Sequence, residues 1–308
     1  MYHNFDVAKK GNKARQINAP NQRFKFFQHL IAGKLDTLYR RRNSVHGYIV
    51  GRSVKTNASS HLTQRFVLNL DVKDFFISIS GARVEGVLTA IGVSARVAAI
   101  VARICCYQGR LPQGGPSSPI LSNMICFRLD RELLKIAKET KCIYTHYADD
   151  ITISSRRPLF PLFQTAPPQS GPVALKLLAG GLRAVFSSNG FALNPTKAHY
   201  ADRHSRRIVT GLKVNEGLNV DRCFVRNIRA TLFAVEHDRV TAQAHYSSDF
   251  GGSSTISAHI KVKTAWIGSV KGLAEPVYRS LALRFNKSFL SEFIKVQPAR
   301  EEKIDRSV

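Results

Sequence analysis

The spacing of apolar residues predicts several helices. Apolar side chains recur every three or four residues over 27–38 and place one apolar face on a helix formed by Phe27, Leu30, Ile31, Leu35 and Leu38. The same period recurs in three longer stretches and predicts helices over 82–106, 118–139 and 173–189. From Asp221 onward the pattern is mostly helical, interrupted by a polar segment that contains two adjacent glycines.

Other stretches follow the pattern of strands. Residues 1–20 predict two strands around a turn at Gly11-Asn12, and Phe66 to Asp71 predicts a buried strand. A hairpin is expected around "YADD", with short strands in "GFALNPTKAHY" and "RRIVTGLKVN". The Pro-rich stretch that follows the hairpin is long for a connection and predicts a surface loop. The sum is an α+β fold followed by an α-helical C-terminal part, with a boundary near 218–222.

Composition adds a polyanionic partner to this picture. The chain of 308 residues is 44% hydrophobic, which is typical of a globular protein, but its net charge is +25. A chain so basic is expected to hold nucleic acid first, or an anionic membrane surface second. It has no run of about 18 apolar residues to span a bilayer. Its N-terminus lacks the apolar core of a signal peptide, so we expect a cytosolic protein without a membrane partner.

Acidic residues are scarce, and three of them follow apolar strands. Asp149 and Asp150 are adjacent in the predicted hairpin, where a solvated turn is the simple alternative. Asp71 ends the predicted buried strand. If the two strands are neighbours, three carboxylates converge and form a site of hard oxygen ligands that suits Mg²⁺ with triphosphate oxygens. Two such ions would serve the chemistry of a polymerase.

Seven blocks of sequence, in order, resemble those of reverse transcriptases, and most closely the retron reverse transcriptases of bacteria. They are "INAPNQRFKFFQ", "HGYIVGRSVKTNASSH", "LDVKDFF", "LPQGGPSSPILSN", "YADD", "GFALNPTK" and "VTGLKV". The resemblance implies an α+β right-hand polymerase fold. Fingers and a palm with an antiparallel sheet would occupy 1–220, and an α-helical, RNA-binding thumb would occupy 221–308.

The resemblance also implies roles for individual residues. Asp71, Asp149 and Asp150 would be catalytic and, with the Val72 carbonyl, would bind two Mg²⁺ ions, for which Mn²⁺ is a substitute. The deoxynucleoside triphosphate would be bound by a set drawn from four blocks and the fingers hairpin: Lys10, Arg15, Phe76, Gln113, Gly114 and Lys197. In this set the Phe76 ring would lie under the sugar and clash with a 2′-hydroxyl. The neighbouring Asp74 and Phe75 are expected to be structural.

The partner implied by the resemblance is a structured noncoding RNA that is both template and primer. Synthesis would start from the 2′-hydroxyl of a guanosine and give branched RNA–DNA (msDNA). The RNA would contact two retron-like blocks and basic residues of the thumb: Asn57, His61, Val209, Thr210, Gly211, Lys261, Lys263, Lys271 and Arg279. A host ribonuclease H would remove the template, and a separate effector protein would act with the enzyme against phages.

The sequence departs from the family pattern in two places. It starts almost at the fingers hairpin, so the helical leader common in retron enzymes is expected to be short or missing. The Pro-rich stretch 158–172 is interpreted as a surface insertion or partner site whose deletion should spare primer extension. Two alternatives remain open at this point: a group II intron-type or other bacterial reverse transcriptase, and a non-catalytic RNA-binding scaffold.

Overall fold

A computed structural model describes residues 2–9, 13–250, 255–290 and 292–296. The chain divides into two compact units, Met1–Thr210 with Val214–Glu216, and Gly211–Lys213 with Gly217–Val308. The first unit is mixed in secondary structure, and the second is mainly helical. The interpretation of these parts as fingers with palm, and as thumb, stays a prediction. Among the described residues no helix is both long and apolar enough to cross a bilayer.

The strands are β1 Tyr2–Lys9, β2 Lys13–Pro20, β3 Phe66–Asp71, β4 Ile143–Tyr147, β5 Asp150–Ser155, β6 Gly171–Pro172, β7 His199–Ala201, β8 Ile208–Val209 and β9 Leu212–Lys213. The helices of the first unit are α1 Gln22–Leu38, α2 Val54–Ser59, α3 Gly81–Ala90, α4 Ala95–Cys105, α5 Ser118–Ile125, α6 Phe127–Glu139 and α7 Gly180–Ser188. Two short 3₁₀ helices span Phe160–Leu162 and Leu175–Leu177.

A five-stranded antiparallel sheet in the order β4-β5-β3-β7-β6 forms the centre of the first unit. Its central strand β3 matches the predicted bounds, and Leu68 and Leu70 of this strand are buried. Leu121 of α5 and Leu129 of α6 belong to the same hydrophobic core. The predicted YADD hairpin is present as β4 and β5, because only two residues separate its apolar strands.

Two predicted long helices are divided in the structure. The stretch 82–106 forms α3 and α4, which Gly92 separates with a φ of +94° that an α-helix cannot contain. The stretch 118–139 forms α5 and α6, which meet at Cys126. The prediction over 173–189 was too long, because only α7 and one 3₁₀ turn are helical there. Apolar period alone does not show where a helix turns to follow the core.

The predicted apolar face of α1 is only partly buried. Leu35 packs in the core, but Phe27, Leu30 and Leu38 keep about half of their surface exposed (52%, 57% and 48%). Gln28 is buried instead, and its amide donates to the Tyr2 hydroxyl and to the Ile104 carbonyl, both at 2.8 Å. The two hydrogen bonds offset the cost of burying the amide, so α1 turns a polar residue inward.

The interpretation of 158–172 as a surface insertion was wrong for the residues that anchor this stretch to the rest of the first unit. Leu159, Leu162 and Phe163 are buried in the core of the first unit. At the far end, Gly171 and Pro172 form β6 and add the fifth strand to the sheet. The intervening tip is mostly exposed, as are Phe160 and the two prolines near the start of the stretch. Deleting the whole stretch would therefore remove core contacts and an edge strand.

The second unit contains four helices in its described part: α8 Arg222–His237, α9 Arg239–Phe250, α10 Ile256–Lys271 and α11 Pro276–Ser288. They confirm the helical pattern predicted after Asp221, whose own side chain caps α8 by accepting from the Cys223 amide at 2.6 Å. The core of this unit is apolar and includes Leu232, Ile260, Ile267, Leu281 and Phe285.

Candidate active site

A cleft of about 570 Å³ opens in the first unit beside the ends of β3 and β4. Its walls combine carboxylates, aromatic rings, a glycine-rich loop and cations, which is the mixture that a charged, partly apolar substrate requires. The lining includes Lys25, His29, Tyr48, Asp71, Val72, Asp74, Phe75, Phe76, Gln113, Gly114, Asp149, Asn194, Thr196 and Lys197.

The sheet register brings the three predicted aspartates together. β3 ends at Asp71, which is paired directly with Asp150 at the start of β5. The Val72 amide donates to the Asp149 carbonyl at 2.9 Å, and the Asn194 amide donates to the Asp71 carbonyl at 2.8 Å. Asp71 and Asp149 line the cleft, whereas Asp150 lies beside it. Backbone hydrogen bonds therefore fix the position of Asp71, at the end of β3, relative to the turn and strand that carry Asp149 and Asp150.

The turn that carries Asp149 is held from outside by the loop between α1 and α2. Ala148 has a φ of +57°, which is unusual for a residue with a side chain. A Cβ atom on Gly47 would lie 2.4 Å from the Ala148 backbone nitrogen, so only glycine fits there. The Asn123 amide donates to the Gly47 carbonyl at 3.0 Å, and the His46 amide donates to the His146 carbonyl at 2.8 Å. The loop and the turn form one rigid contact.

The carboxylates of the site repel one another. Desolvation is the largest influence on Asp71 and raises its pKa above the ordinary value, although the hydrogen bond from Lys197 lowers this pKa. The charge of Asp149 makes a smaller contribution that raises it. Asp150 keeps solvent access, yet partial desolvation and then the charges of Asp149 and Asp71 raise its pKa to about 6. Lys197 makes an ion pair with Asp71. Burial would lower the pKa of Lys197, but the bond and charge of Asp71 raise it overall. The Lys197 ammonium therefore stabilises this cluster of carboxylates.

The donor set fits a hard divalent ion. Asp71 and Asp149 offer carboxylate oxygens in the cleft, and charge–charge coupling links both to Asp150. Within the described ranges no three His, Cys, Asp or Glu side chains are already arranged around a metal position. The Lys197 ammonium lies beside Asp71 and supplies positive charge at the position where a divalent ion would also be attracted. The residues are thus suitable ligands whose side chains would adjust on binding.

Several predicted nucleotide-binding residues face the same cleft. Phe76, Gln113, Gly114 and Lys197 all line it. Gly114 has a φ of +113°, and a Cβ atom there would lie 2.9 Å from Ile17 Cγ2, so the loop needs glycine to pass under β2. The loop is tied to β2 because the Asn18 amide donates to the Gln113 carbonyl at 2.8 Å.

The residues next to Phe76 have different environments. The segment after β3 is a turn rather than an extended strand, and Asp74 has a φ of +49°. Phe75 is buried, as a structural residue should be, and packs against Phe191 at 5.9 Å between ring centroids. Asp74 is exposed at the edge of the cleft. Lys10 lies outside the described residues, and Arg15 is described only by its backbone position in β2.

The first retron-like block is structural in this arrangement. Asn57 and His61 are fully buried, which does not support the predicted direct contact with RNA. The His61 ring pairs with the Ser154 and Thr145 hydroxyls at 2.6 and 2.7 Å, and burial lowers its pKa to about 3. The Asn57 amide donates to the Thr210 hydroxyl at 3.4 Å.

The second retron-like block is held by the first. The Thr210 hydroxyl donates to the Val54 carbonyl at 3.2 Å, and Val209 is buried. Thr210 and Gly211 both have positive φ, +43° and +81°. A turn of this kind favours glycine at the second position. Hydrogen bonds therefore join the two retron-like blocks, and the contact of these blocks with RNA stays a prediction.

Three of the four basic residues predicted for the thumb have partners inside their own unit. Lys261 lies 3.8 Å from Glu292, and Lys271 forms an ion pair with Glu275. Lys263 lies 5.8 Å from the centre of the Phe224 ring, and burial lowers its pKa. Arg279 is half-buried. Their contact with RNA stays a prediction.

Sequence reasoning missed part of the cleft lining. Lys25 and His29 are one helical turn apart on α1, and neither has an ion-pair partner among the described residues. Asn194 and Thr196 border Lys197 in the block "NPTK". Tyr48 follows Gly47 in "HGYIVG" and is the least expected, because its position depends on docking of its loop. For Asn194, Thr196 and Tyr48, the signal available in the sequence was that each stands next to a motif residue.

Comparisons with known proteins identify the family of the chain. The family "Reverse transcriptase (RNA-dependent DNA polymerase)" matches residues 7–213. The Retron Ec86 reverse transcriptase of Escherichia coli is 30% identical over 290 residues, which cover 93% of this chain and 81% of that protein. The Retron Mx65 reverse transcriptase of Myxococcus xanthus is 32% identical over 249 residues, covering 75% of this chain and 55% of that protein.

Among solved structures, telomerase from Candida albicans overlaps with a TM-score of 0.48 at 10% identity, over 94% of this chain and 64% of that one. This likeness is too distant to bear on function. The family match over most of the first unit and the retron relatives confirm the predicted α+β polymerase fold and enzymatic activity. The chain belongs to the reverse transcriptase family, in its retron branch, and is an RNA-directed DNA polymerase.

Proposed function

We propose that the enzyme copies a structured noncoding RNA that serves as both template and primer. Synthesis begins at the 2′-hydroxyl of a guanosine in that RNA and yields branched RNA–DNA, the msDNA of retrons. Retron relatives that align with most of the chain support this proposal. The net charge of +25 supports a large and folded polyanion as the partner.

The reaction is assigned to Asp71, Asp149 and Asp150. With the Val72 carbonyl, these residues would hold two Mg²⁺ ions or Mn²⁺ in their place. When bound, such ions stabilise negative charge on the attacking and leaving oxygens. Lys197 now neutralises Asp71 and is near enough to the carboxylates to move to the leaving phosphates when substrate enters. Asp71, Asp149 and Lys197 thus bring charges of both signs into the cleft, with Asp150 next to them.

The other predicted nucleotide-binding residues would bind and select the nucleotide. Lys10 and Arg15 would hold the triphosphate, Arg15 by two parallel hydrogen bonds. Gln113 and Gly114 would support the base and template from the loop that β2 holds in place. The Phe76 ring would lie under the sugar, where a 2′-hydroxyl would collide with it.

The proposal extends to the cellular context. Residues 1–220 would act as fingers and palm, and 221–308 as a thumb whose Lys261, Lys263, Lys271 and Arg279 hold the RNA backbone. Host ribonuclease H would digest the copied template in the cytosol, and a separate effector protein would use the RNA–DNA product in defence against phages.

The observation that carries the proposal is the convergence of Asp71 and Asp149 with Gln113, Gly114 and Lys197 in one cleft of a retron-type chain. The test is to purify the protein without nuclease, extract its nucleic acid, and compare samples with and without ribonuclease on a denaturing gel. A discrete DNA band that shortens after ribonuclease is expected. RNA alone, or a heterogeneous smear, would overturn the branched-product proposal.

The assignment of the aspartates is tested separately. Asp149→Asn keeps the shape of the side chain and removes its charge, so synthesis should fall by at least about 10³-fold. Binding of the copurified RNA should stay within about twofold, because the change adds no repulsion toward phosphate. The matched control is Asp74→Asn at the exposed edge of the cleft, which should retain synthesis. Full synthesis by Asp149→Asn would disprove the assignment.

A further inference from the structure

Tyr48 has a strained backbone and an exposed ring inside the cleft. Its φ of +60° lies in the left-handed region, which bulky residues rarely adopt. Its ring keeps 44% of its surface exposed although it borders the cleft beside Asp71 and Asp149. Strain of this kind persists where the surrounding structure imposes it, and it concentrates at sites that contact ligands.

The position of Tyr48 is imposed by the turn that carries Asp149. Gly47 packs against the Ala148 backbone so closely that a Cβ atom would collide with it. The Gly47 carbonyl accepts from the Asn123 amide at 3.0 Å, and the preceding residue, His46, pairs with His146 through the backbone. The backbone next to Tyr48 is therefore packed directly against the turn that carries Asp149.

The Tyr48 ring contacts Phe76, the residue proposed to lie under the nucleotide sugar. The two ring centroids are 6.1 Å apart, and the planes are tilted by 48°. Phe76 also contacts Phe75 at 5.3 Å, and Phe75 is itself buried. Phe76 therefore contacts one buried ring and one exposed ring, and all three rings border the cleft. Without Tyr48 its ring would have room to yield.

We propose that Tyr48 is a specificity-determining residue that contacts the incoming deoxynucleotide together with Phe76. Its ring provides an apolar face for the sugar and base, and it limits the motion of Phe76 away from a 2′-hydroxyl. The proposal rests on the function assigned above to Phe76 and the cleft. It adds a second side chain to the selection of deoxynucleotides, from a loop that lies outside the strand motifs.

The test uses variants that preserve the backbone. Tyr48→Gly adopts a positive φ without strain and removes only the ring, and Tyr48→Asn is a second variant that tolerates this conformation. Both should raise the KM for deoxynucleotides by about tenfold, with a smaller change in kcat, since an aromatic contact is lost in binding. Selectivity for deoxy- over ribonucleotides should fall by about tenfold or more. Tyr48→Phe should stay within about twofold of the parent for both quantities.

Selectivity is measured as the ratio of kcat/KM values for the two nucleotides on one enzyme preparation, so a loss of folded protein cancels out. Phe160→Ala removes an exposed aromatic ring that lies outside the cleft and should leave the ratio unchanged. Combining Tyr48→Gly with Phe76→Val should give less than the product of the single effects, because contacting residues are not additive.

The outcomes separate the two proposals. If Phe76→Val loses selectivity while Tyr48→Gly and Tyr48→Asn keep both KM and selectivity, Tyr48 is not a specificity residue and the role of Phe76 stands. If Phe76→Val also keeps full selectivity, the function assigned to Phe76 fails, and the inference for Tyr48 fails with it.

Discussion

At the scale of single residues, the active site depends on backbone positions that tolerate few side chains. Gly47, Ala148 and Gly114 each lie where a close contact or a positive φ restricts the choice. The blocks that contain Gly114 and Ala148 were recognisable in the sequence because their spacing is local. The strain at Tyr48 was not, since it arises only when its loop docks on a turn about 100 residues away along the chain.

Gly47→Ala should disable the enzyme more than it unfolds it. The added methyl would meet the Ala148 backbone nitrogen and push the turn that holds Asp149. A displacement of that size should lower single-nucleotide incorporation on a generic RNA template by about 100-fold. The free energy of unfolding should fall by about 1–3 kcal/mol.

The matched control for Gly47→Ala is Gly86→Ala in α3. A Cβ atom there has no neighbour within 4 Å. Alanine should stabilise that helix by about 0.5–1 kcal/mol and leave incorporation unchanged. Equal activity in both variants would show that the contact with Ala148 is not required.

Two buried histidines should make the fold sensitive to acid. Desolvation lowers the pKa of His61 to about 3 and that of His46 to about 4, from an ordinary value near 6.5. Below pH 6.5 the unfolded chain binds protons that these folded residues refuse. The free energy of unfolding is therefore highest above pH 6.5. As the pH decreases below 6.5, the free energy of unfolding should fall. Each histidine contributes up to about 1.4 kcal/mol per pH unit until the pH reaches the pKa of that histidine in the folded protein.

Denaturant unfolding at pH 7.5, 6.0 and 5.0 measures this dependence. His61→Gln should reduce the slope by the share of one histidine. An identical slope in the parent and in His61→Gln would contradict the prediction.

At the scale of elements, the sequence pattern predicted the strands and helices that depend on residues close together in the chain. β3 and the β4–β5 hairpin were predicted because short apolar runs and a tight turn are encoded within a few residues. The break between α3 and α4, and the inward Gln28 of α1, depend on partners elsewhere in the fold and were not predicted. The segment after β5 was misinterpreted for the same reason, because its prolines concealed the apolar residues that anchor it.

This segment should divide into an essential anchor and a dispensable tip. Leu162→Ala removes a fully buried side chain and should destabilise the protein by about 2–5 kcal/mol. Deleting 165–169 shortens the mostly exposed tip and should change the free energy of unfolding by less than about 1 kcal/mol, since loop length has a weak effect. Thermal unfolding with a primer-extension assay on each variant tests this division. A tip deletion that abolishes extension would refute it.

At the scale of the whole molecule, the excess of positive charge governs partner binding. The difference between 46 basic and 21 acidic residues is distributed over both units, and it cannot be neutralised within the chain. Proteins of this kind bind nucleic acid largely by releasing counterions, so their affinity depends on salt. Specificity for one RNA must come from shape and from unpaired bases, because phosphate contacts carry no sequence information.

RNA affinity should therefore fall steeply with salt, and the steepness should report the thumb contacts. Lys263→Gln should reduce the slope of log affinity against log salt by about 0.7–0.9 if the residue contacts a phosphate. Glu216→Gln is a control that removes a charge of the opposite sign and should not make the slope shallower. Filter binding from 50 to 400 mM salt measures this. An unchanged slope for Lys263→Gln would remove this residue from the RNA-binding surface.

The division of the segment after β5 has a practical consequence. This stretch is held by core residues at one end and by an edge strand at the other, and its tip is solvated, so the tip should tolerate an inserted foreign sequence. A small affinity tag or a dye-labelling sequence inserted between 165 and 169 would be attached to the surface of the enzyme, outside its cleft. Such a handle would allow the enzyme to be tethered to a surface and observed while it copies one RNA molecule.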